Sequence, residues 1–249
     1  MSVRRFHVRP DAVEGMRLTF DAEESRHIAR TLRLGPGDVV AAVDGSGRQY
    51  LVRLDRVSGR AAVGTVLSSE HRTVESPLAI TLAQGVPKGG KLEAIVRAAT
   101  ELGVARIAPV ITERTVVRLD PARSDHRVGR WQRVAREAAK QCGRTVIPAV
   151  DPFRPLAEFL AAERQTGLRL CLWEGEARGL GALLDSLTEP VSGATILIGP
   201  EGGLAEAEVG LARSHGFVVA SLGPRILRTE TAGLTVIAVL QARFGDLGR

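Results

Sequence analysis

The residues best suited to chemistry lie in two glycine-rich stretches near the C-terminus. The first, Gly199-Pro200-Glu201-Gly202-Gly203, follows directly on the apolar run Ile196-Leu197-Ile198. The second, Gly223-Pro224-Arg225-Ile226-Leu227-Arg228-Thr229-Glu230-Thr231-Ala232, follows Phe217-Val218-Val219-Ala220-Ser221-Leu222. Pro200 fixes its own φ and pushes Gly199 out of helical space. Gly202 and Gly203 permit positive φ or close backbone approach. Such a loop offers rigid amides and carbonyls of the kind that read an adenine edge or a ribose. Arg225 and Arg228 stay cationic at any working pH. Glu201 and Glu230 could accept a proton or hold an arginine. Together these groups could bind a small molecule and stabilise negative charge that develops on a substrate. The first loop is not G-x-G-x-x-G, so the dinucleotide fingerprint is absent.

The elements that carry these loops read as short buried parallel strands, each followed by a helical pattern, and α/β proteins bind ligands at the carboxyl ends of such strands. A βαβ unit precedes them. Leu78 to Ala83 reads as a strand and Gly85 to Gly90 as a loop. Lys91 to Leu102 reads as a helix with Leu92, Ile95, Val96, Ala99 and Leu102 as its buried stripe, with Gly103 as the C-terminal cap. Ala105 to Ile111 is the next strand. Arg127 to Cys142 is a helix whose apolar stripe is Val128, Trp131, Val134, Ala135, Ala138 and Cys142, with Arg130, Arg133, Arg136 and Lys140 on its other faces. Leu156 to Glu163 and Leu180 to Leu187 are helices, and Leu168 to Trp173 is a strand. Residues 1 to about 73 are β-rich instead. They comprise a helical segment at Ala22 to Leu32, strands at Val39 to Val43, Gln49 to Val57 and Ala61 to Leu67, and a hairpin turn at Asp44-Gly45-Ser46-Gly47, which together suggest a small barrel. Arg26, Arg30 and Arg33 recur at roughly helical spacing, so they could share one face. The polar stretch Ser68 to Pro77 places a domain boundary near residue 73.

Gly85 to Lys91 satisfies G-x-x-x-x-G-K, the opening of a phosphate-binding loop, but Leu92 stands where the magnesium-binding hydroxyl belongs. A nucleotidase is therefore disfavoured, and a loop presenting a lysine to an anion or RNA fits better. The two cysteines, Cys142 and Cys171, form no C-x-x-C pair, which argues against a disulfide scaffold or a zinc site, and the five histidines are scattered, so no metal site is expected. The N-terminal segment Met1-Ser2-Val3-Arg4-Arg5 lacks a signal-peptide core, and no apolar run reaches membrane-span length, so a cytoplasmic location is expected. The net charge is +6, and the cations are arginines apart from Lys88, Lys91 and Lys140. That excess invites a nucleic-acid partner, although a GC-rich genome also enriches arginine codons. Aromatics make up only 4%, so RNA would be held through phosphates and shape rather than stacking.

The glycine loops taken together resemble the SPOUT superfamily of methyltransferases. More narrowly they resemble the RsmE family, which methylates N3 of a uridine in small-subunit (16S) ribosomal RNA. The likeness continues in Arg4-Arg5-Phe6, His27 to Leu34, Gly37-Asp38 and Asp44-Gly45. It also includes Lys88, Lys91-Leu92-Glu93, Glu101-Leu102-Gly103, Glu113-Arg114 and Glu137-Ala138 with Gln141 and Arg144. It implies an α/β chain with a PUA-like RNA-binding β-barrel at 1–73 and a SPOUT methyltransferase domain at 74–249, closed by a deep C-terminal trefoil knot. S-adenosylmethionine would be held by Leu172, Trp173, Glu174, Ile198, Gly199, Pro200, Gly202, Gly203, Leu222, Gly223, Ile226, Leu227, Thr231 and Ala232. Arg228 would face the uracil, with Glu201 or Glu230 as proton acceptor or arginine partner. Arg5, His27, Arg30, Arg33, Lys88, Arg114 and Arg144 would contact RNA. The family works as a homodimer. One departure is that the helix after the first loop opens Leu204-Ala205-Glu206 where the family often has a Ser or Thr cap, which would leave Gly203 to cap it. Two rival functions are 2′-O-ribose methylation by a SPOUT enzyme and non-catalytic RNA binding in ribosome assembly.

Overall fold

The computed structural model describes residues 3–72, 74–117, 124–163, 167–176 and 178–248. Met1, Ser2 and Thr73, the last being the expected domain boundary, lie outside the described residues. Two compact units emerge. One is formed by the chain up to Glu75 with Ala139–Ile147, the other by Ser76–Ala138 with Pro148 onward.

The first unit contains β1 (Arg5–His7), β2 (Val13–Glu14), β3 (Arg17–Phe20), α1 (Ala22–Arg26), β4 (Val39–Val43), β5 (Arg48–Val57) and β6 (Ala62–His71). Their order in the sheet is β1-β4-β5-β6-β3-β2, antiparallel except for the parallel β1–β4 pair. Strands in a sheet lie about 4.8 Å apart, so in a flat sheet β1 and β3 would be separated by roughly four such steps. Yet Phe6 of β1 and Phe20 of β3 meet edge to face at 5.8 Å. The sheet therefore curls around a core of Phe6, Leu18, Phe20, Ile28, Tyr50, Val52 and Leu54. Tyr50, Val52 and Leu54 are buried, as their period-2 pattern requires. Asp44 stabilises the β4–β5 turn, accepting bonds from the Ser46 amide at 2.9 Å and the Tyr50 hydroxyl at 3.1 Å.

Several side chains here depart from expectation. α1 gives way to a π-helical turn at His27–Thr31, and Arg33 takes a left-handed φ of 52°. The expected common face of Arg26, Arg30 and Arg33 is therefore broken. Lys140, expected on a solvated face, is 8% exposed and bonds to Glu24 at 2.8 Å. Arg144, expected to meet RNA, is buried, and its Nε and Nη2 donate to Glu75 at 2.8 and 2.6 Å. A guanidinium enclosed in this way serves as a structural ion pair.

The second unit contains β7 (Ala79–Gly85), α2 (Lys91–Glu101), β8 (Arg106–Ile111), α3 (Ser124–Cys142, whose last turn belongs to the first unit), β9 (Ala149–Val150), β10 (Arg154–Pro155), α4 (Leu156–Ala162), β11 (Leu168–Leu172), α5 (Leu180–Asp185), β12 (Gly193–Ile198), α6 (Glu206–Ser214), β13 (Val218–Ala220) and α7 (Thr229–Phe244). The sheet is parallel throughout, in the order β10-β8-β7-β12-β11-β13, with β9 also paired to β8. Its strands are apolar on both faces, as a sheet covered on both sides demands. One face packs Phe159, Leu160, Leu204, Val209 and Phe217 against Ala83, Val110, Cys171 and Leu197. α2 and α7 pack together elsewhere on this unit, and α7 also contacts β7 and β12. Gly103 takes φ +82° after α2, the cap conformation its position predicts. Cys142 ends α3 exposed rather than on its buried stripe. No helix among the described residues is long and apolar enough to cross a membrane.

Candidate functional site

Because every strand of the second sheet runs the same way, the chain leaves β7, β11, β12 and β13 at one edge. Here Gly85, Leu172, Ile198 and Ala220 hand over to loops. Two adjoining cavities open there. One, of about 310 Å³, is lined by Lys91, Leu172, Glu174, Ile198, Gly199, Pro200, Glu201, Gly203, Leu204, Ile226, Leu227, Arg228, Thr229 and Ala232. The other, of about 230 Å³, is lined by Leu172, Trp173, Glu174, Ser221–Leu227 and Ala232. They share Leu172, Glu174, Ile226, Leu227 and Ala232, so they form two halves of one cleft. Its size suits a nucleoside-sized ligand.

Close packing fixes the first glycine loop. A Cβ on Gly199 would stand 2.7 Å from the Gly203 carbonyl carbon, and one on Gly85 would stand 2.5 Å from the Pro200 nitrogen. Gly203 takes φ +71°, and its missing Cβ leaves room for the Glu174 carboxylate. Beneath the loop lies a buried polar knot. Thr229 Oγ1 donates to the Gly199 carbonyl at 2.6 Å and accepts from Gln84 Nε2 at 2.8 Å, while Gln84 Nε2 also donates to the Gly85 carbonyl at 3.1 Å. From the solvent side, Arg114 Nη1 donates to the Gly202 carbonyl at 2.8 Å. Gly203 does not cap α6. Ala205 takes that position, and its amide donates to Glu208 Oε2 at 2.9 Å.

The charged groups are arranged just as specifically. Glu201 accepts from Lys91 Nζ at 3.0 Å and from the Lys88 amide at 3.1 and 3.3 Å. Lys91 Nζ also stands 3.5 Å from Glu230 Oε2. Burial pushes the Glu201 carboxyl up, but the bonds from Lys91 and the backbone amides outweigh it, so its pKa lies below the ordinary value. Lys91 is raised, first by its bond to Glu201 and then, against some burial, by the two carboxylate charges. Arg228 is exposed and supplies the backbone N-cap of α7, its carbonyl accepting from the Thr231 and Ala232 amides, while its guanidinium has no hydrogen-bond or ion-pair partner among the described residues. Its guanidinium is thus available to a ligand.

The expected cofactor residues therefore converge, with two exceptions. Gly202 is turned toward Arg114, and Thr231 is exposed on the first turn of α7. Of the expected catalytic group, Arg228 and Glu201 line the cavity and Glu230 stands behind Lys91. Among the expected RNA contacts, Lys88 is exposed on this unit. In the first unit Arg30 and Arg33 are exposed, Arg5 Nη1 reaches the Lys140 carbonyl at 3.4 Å, and His27 packs on Phe6 with Nδ1 3.8 Å from Glu24. Sequence reasoning assigned no role to Gln84 or Thr229, and gave the lysine of the Gly85 to Lys91 loop only a general place near an anion or RNA. The signals were present: Lys91 ends the rejected phosphate-loop pattern, and Gln84 is a polar residue closing an apolar strand.

Known proteins resemble this chain along most of its length. The family described as RNA methyltransferase domain matches residues 74–241, and that described as RNA methyltransferase PUA domain matches residues 20–67. Ribosomal RNA small subunit methyltransferase E of Bacillus subtilis is 33% identical over 91% of this chain and 90% of its own length. The Synechocystis protein of the same name is 35% identical over 96% of this chain and 77% of its own. The crystal structure of ribosomal RNA small subunit methyltransferase E from Neisseria gonorrhoeae bound to S-adenosyl methionine superposes with a TM-score of 0.90. It is 32% identical and covers 99% of this chain and 100% of that one. With its curled N-terminal sheet, parallel second sheet and glycine-walled cleft, this chain is a PUA domain joined to a SPOUT methyltransferase fold, and it belongs to the ribosomal RNA small subunit methyltransferase E family.

Proposed function

We propose that the protein is an S-adenosylmethionine-dependent methyltransferase acting on N3 of a uridine in 16S ribosomal RNA. The observation that carries this reading is the meeting of Arg228 and Glu201 at a glycine-walled cleft. The cleft suits the cofactor. The backbones of Gly199, Gly203 and Gly223 allow close approach of an adenosine, Leu172, Ile198 and Leu227 offer apolar contact, and Glu174 and Glu201 suit a cationic ligand. When bound, S-adenosylmethionine supplies an electrophilic methyl group. Uracil N3 carries a proton and is a weak nucleophile until that proton leaves. Arg228 stabilises the imide charge as it develops on the base. Glu201, ionised throughout the neutral range, accepts the N3 proton. Glu201 is preferred to Glu230 because it lines the cavity.

Residues 1–73 form the RNA-binding domain and 74–249 the catalytic one, apart from Ala139–Ile147, which groups with the first unit. Exposed Arg30, Arg33 and Lys88 supply phosphate contacts, and Arg114 braces Gly202. The C-terminal segment closes a trefoil knot, a reading supported by β11 lying between β12 and β13 with their loops at one edge. The chain works as a cytoplasmic homodimer. Supporting this, α7 is apolar on most sides and leaves Val239 38% exposed, while Ile226 beside the cleft is 86% exposed. Arg228→Ala should lower methylation at least about 10²-fold while retaining cofactor affinity. Full residual turnover would overturn the assignment. Mass mapping of 16S ribosomal RNA from a deletion strain, with and without added protein, distinguishes a base methyl from a ribose methyl.

A further inference from the structure

One cation in the wall of the cleft has no part in the reaction as described. Lys91 opens α2, and its ammonium stands 3.0 Å from Glu201 and 3.5 Å from Glu230. Glu201 belongs to the loop after β12, and Glu230 to the first turn of the helix that follows the loop after β13. Three stretches of chain, distant in sequence, therefore meet at one ammonium. Glu230 Oε2 is enclosed and has no hydrogen-bond donor among the described residues, so its neutralisation depends on Lys91. Without that cation, two carboxylates would share one side of the cleft and repel each other. One ammonium between two carboxylates also leaves one net negative charge, which complements a cationic sulfonium ligand.

We propose that Lys91 is a positioning residue of the cofactor site, bracketing Glu201 and Glu230 so that the two cleft loops are set relative to each other before the cofactor enters. This rests on the reading that the cleft takes S-adenosylmethionine. The bracket also orients the Glu201 carboxylate, whose other donor is the Lys88 amide. The remaining charged groups at the cleft are Glu174 after β11, Arg225 in the loop after β13 and Arg228 at the start of α7. Such a bracket is non-additive. Removing the cation harms the site, whereas removing the cation and one carboxylate together restores it.

The experiment uses the full chain with Lys91→Met, Lys91→Arg and the double variant Lys91→Met/Glu230→Gln. Calorimetry with S-adenosylmethionine should show Lys91→Met binding roughly ten-fold more weakly, with Lys91→Arg close to wild type and the double variant recovering most of the loss. Because Lys91 lowers the Glu201 pKa, its removal should move the acid limb of kcat/KM to higher pH, a shift that a merely structural role would not produce. Wild-type affinity with an unmoved acid limb in Lys91→Met, or no recovery in the double variant, overturns the bracket. If wild type itself binds no S-adenosylmethionine, the cofactor reading fails separately. The bracket is then decided by melting the unliganded chain, where Lys91→Met must lower Tm and Glu230→Gln must restore it.

Discussion

Thr229 is the position where one atom can be removed with the most legible consequence. Its hydroxyl is buried, donates to the Gly199 carbonyl at 2.6 Å and accepts from Gln84 at 2.8 Å. Thr229→Val replaces that hydroxyl with a methyl group of similar size, so no cavity opens. Two bonds are lost. The Gly199 carbonyl keeps only a marginal 3.5 Å approach from Gln84 Nε2, and the Gln84 amide keeps the Gly85 carbonyl. A buried polar group left without its partner costs about 1–3 kcal/mol. Gln84 can turn its freed N–H toward Gly199, which places the net cost near ~2 kcal/mol. For a chain of this length each kcal/mol lowers Tm by about 2–4 °C, so Thr229→Val should melt about 4–8 °C below wild type. Because the carbonyl belongs to Gly199, a residue that lines the cleft, calorimetry should show weaker S-adenosylmethionine binding in parallel. Thr229→Ser, which keeps the hydroxyl, should recover most of the affinity. Gln84→Met with Thr229→Val should cost less than the sum of the single variants, since replacing both partners leaves fewer orphaned groups. A Thr229→Val chain that melts and binds as wild type would refute the argument that this polar knot sets the loop.

Other outcomes follow from the same geometry. Gly199→Val and Gly203→Val should abolish measurable cofactor binding. At Gly199 the side chain meets the Gly203 backbone at 2.7 Å, and at Gly203 it meets both a φ of +71° and the Glu174 carboxylate; near-normal affinity in either would argue against the pocket. Lys140→Met should destabilise the chain by about 3–5 kcal/mol in urea titrations by leaving Glu24 buried without its cation. Arg144→Ala should act on stability in the same way while leaving the salt dependence of RNA binding unchanged. Alkylation under native conditions should modify Cys142 and spare Cys171, whose thiol burial pushes up to about 12; mass spectrometry of the treated chain reads this directly. Burial raises the Asp44 carboxyl, but bonds from Ser46, Tyr50 and the Arg48 amide bring it below its ordinary value. Its stabilising contribution is therefore complete above the unfolded carboxylate pKa of about 3.9 and lost as pH falls through the lower folded value, so Asp44→Asn should flatten the acid limb of stability measured by urea titration.

Period and punctuation made most of the architecture legible. β4 and β5 were visible because Val39–Val43 is a short β-branched run and Tyr50, Val52 and Leu54 alternate, with a glycine-rich turn between them. α2 was visible because its stripe recurs at helical spacing and Gly103 ends it. The cleft was visible because glycines that nothing else explains cluster after two apolar runs. What escaped was every interaction set by the spatial order of strands. β12 lies between β7 and β11, an insertion that places Gln84 beneath Gly199, 115 residues away in the chain. Local periodicity carries no information about that order, so the glutamine between the Leu78 to Ala83 strand and the Gly85 loop drew no reading. Charge was misread for a related reason. Lys140 and Arg144 belong to a basic helix and the turn after it, and charge counting assigns such a stretch to solvent or RNA. Each instead finds a carboxylate brought near by folding, Glu24 and Glu75 respectively. Lys91 shows both effects together. The pattern that made it look like half of a phosphate loop placed it correctly at the start of a helix beside a ligand site, but the groups that occupy it come from strands added much later in the chain. The phosphate-loop pattern fails on a hydroxyl at position 92, which leaves the lysine facing an unspecified anion or RNA. A motif that fails as a whole can still locate a functional residue, because the geometry that puts a cation at a helix start beside a glycine loop does not depend on which anion it meets.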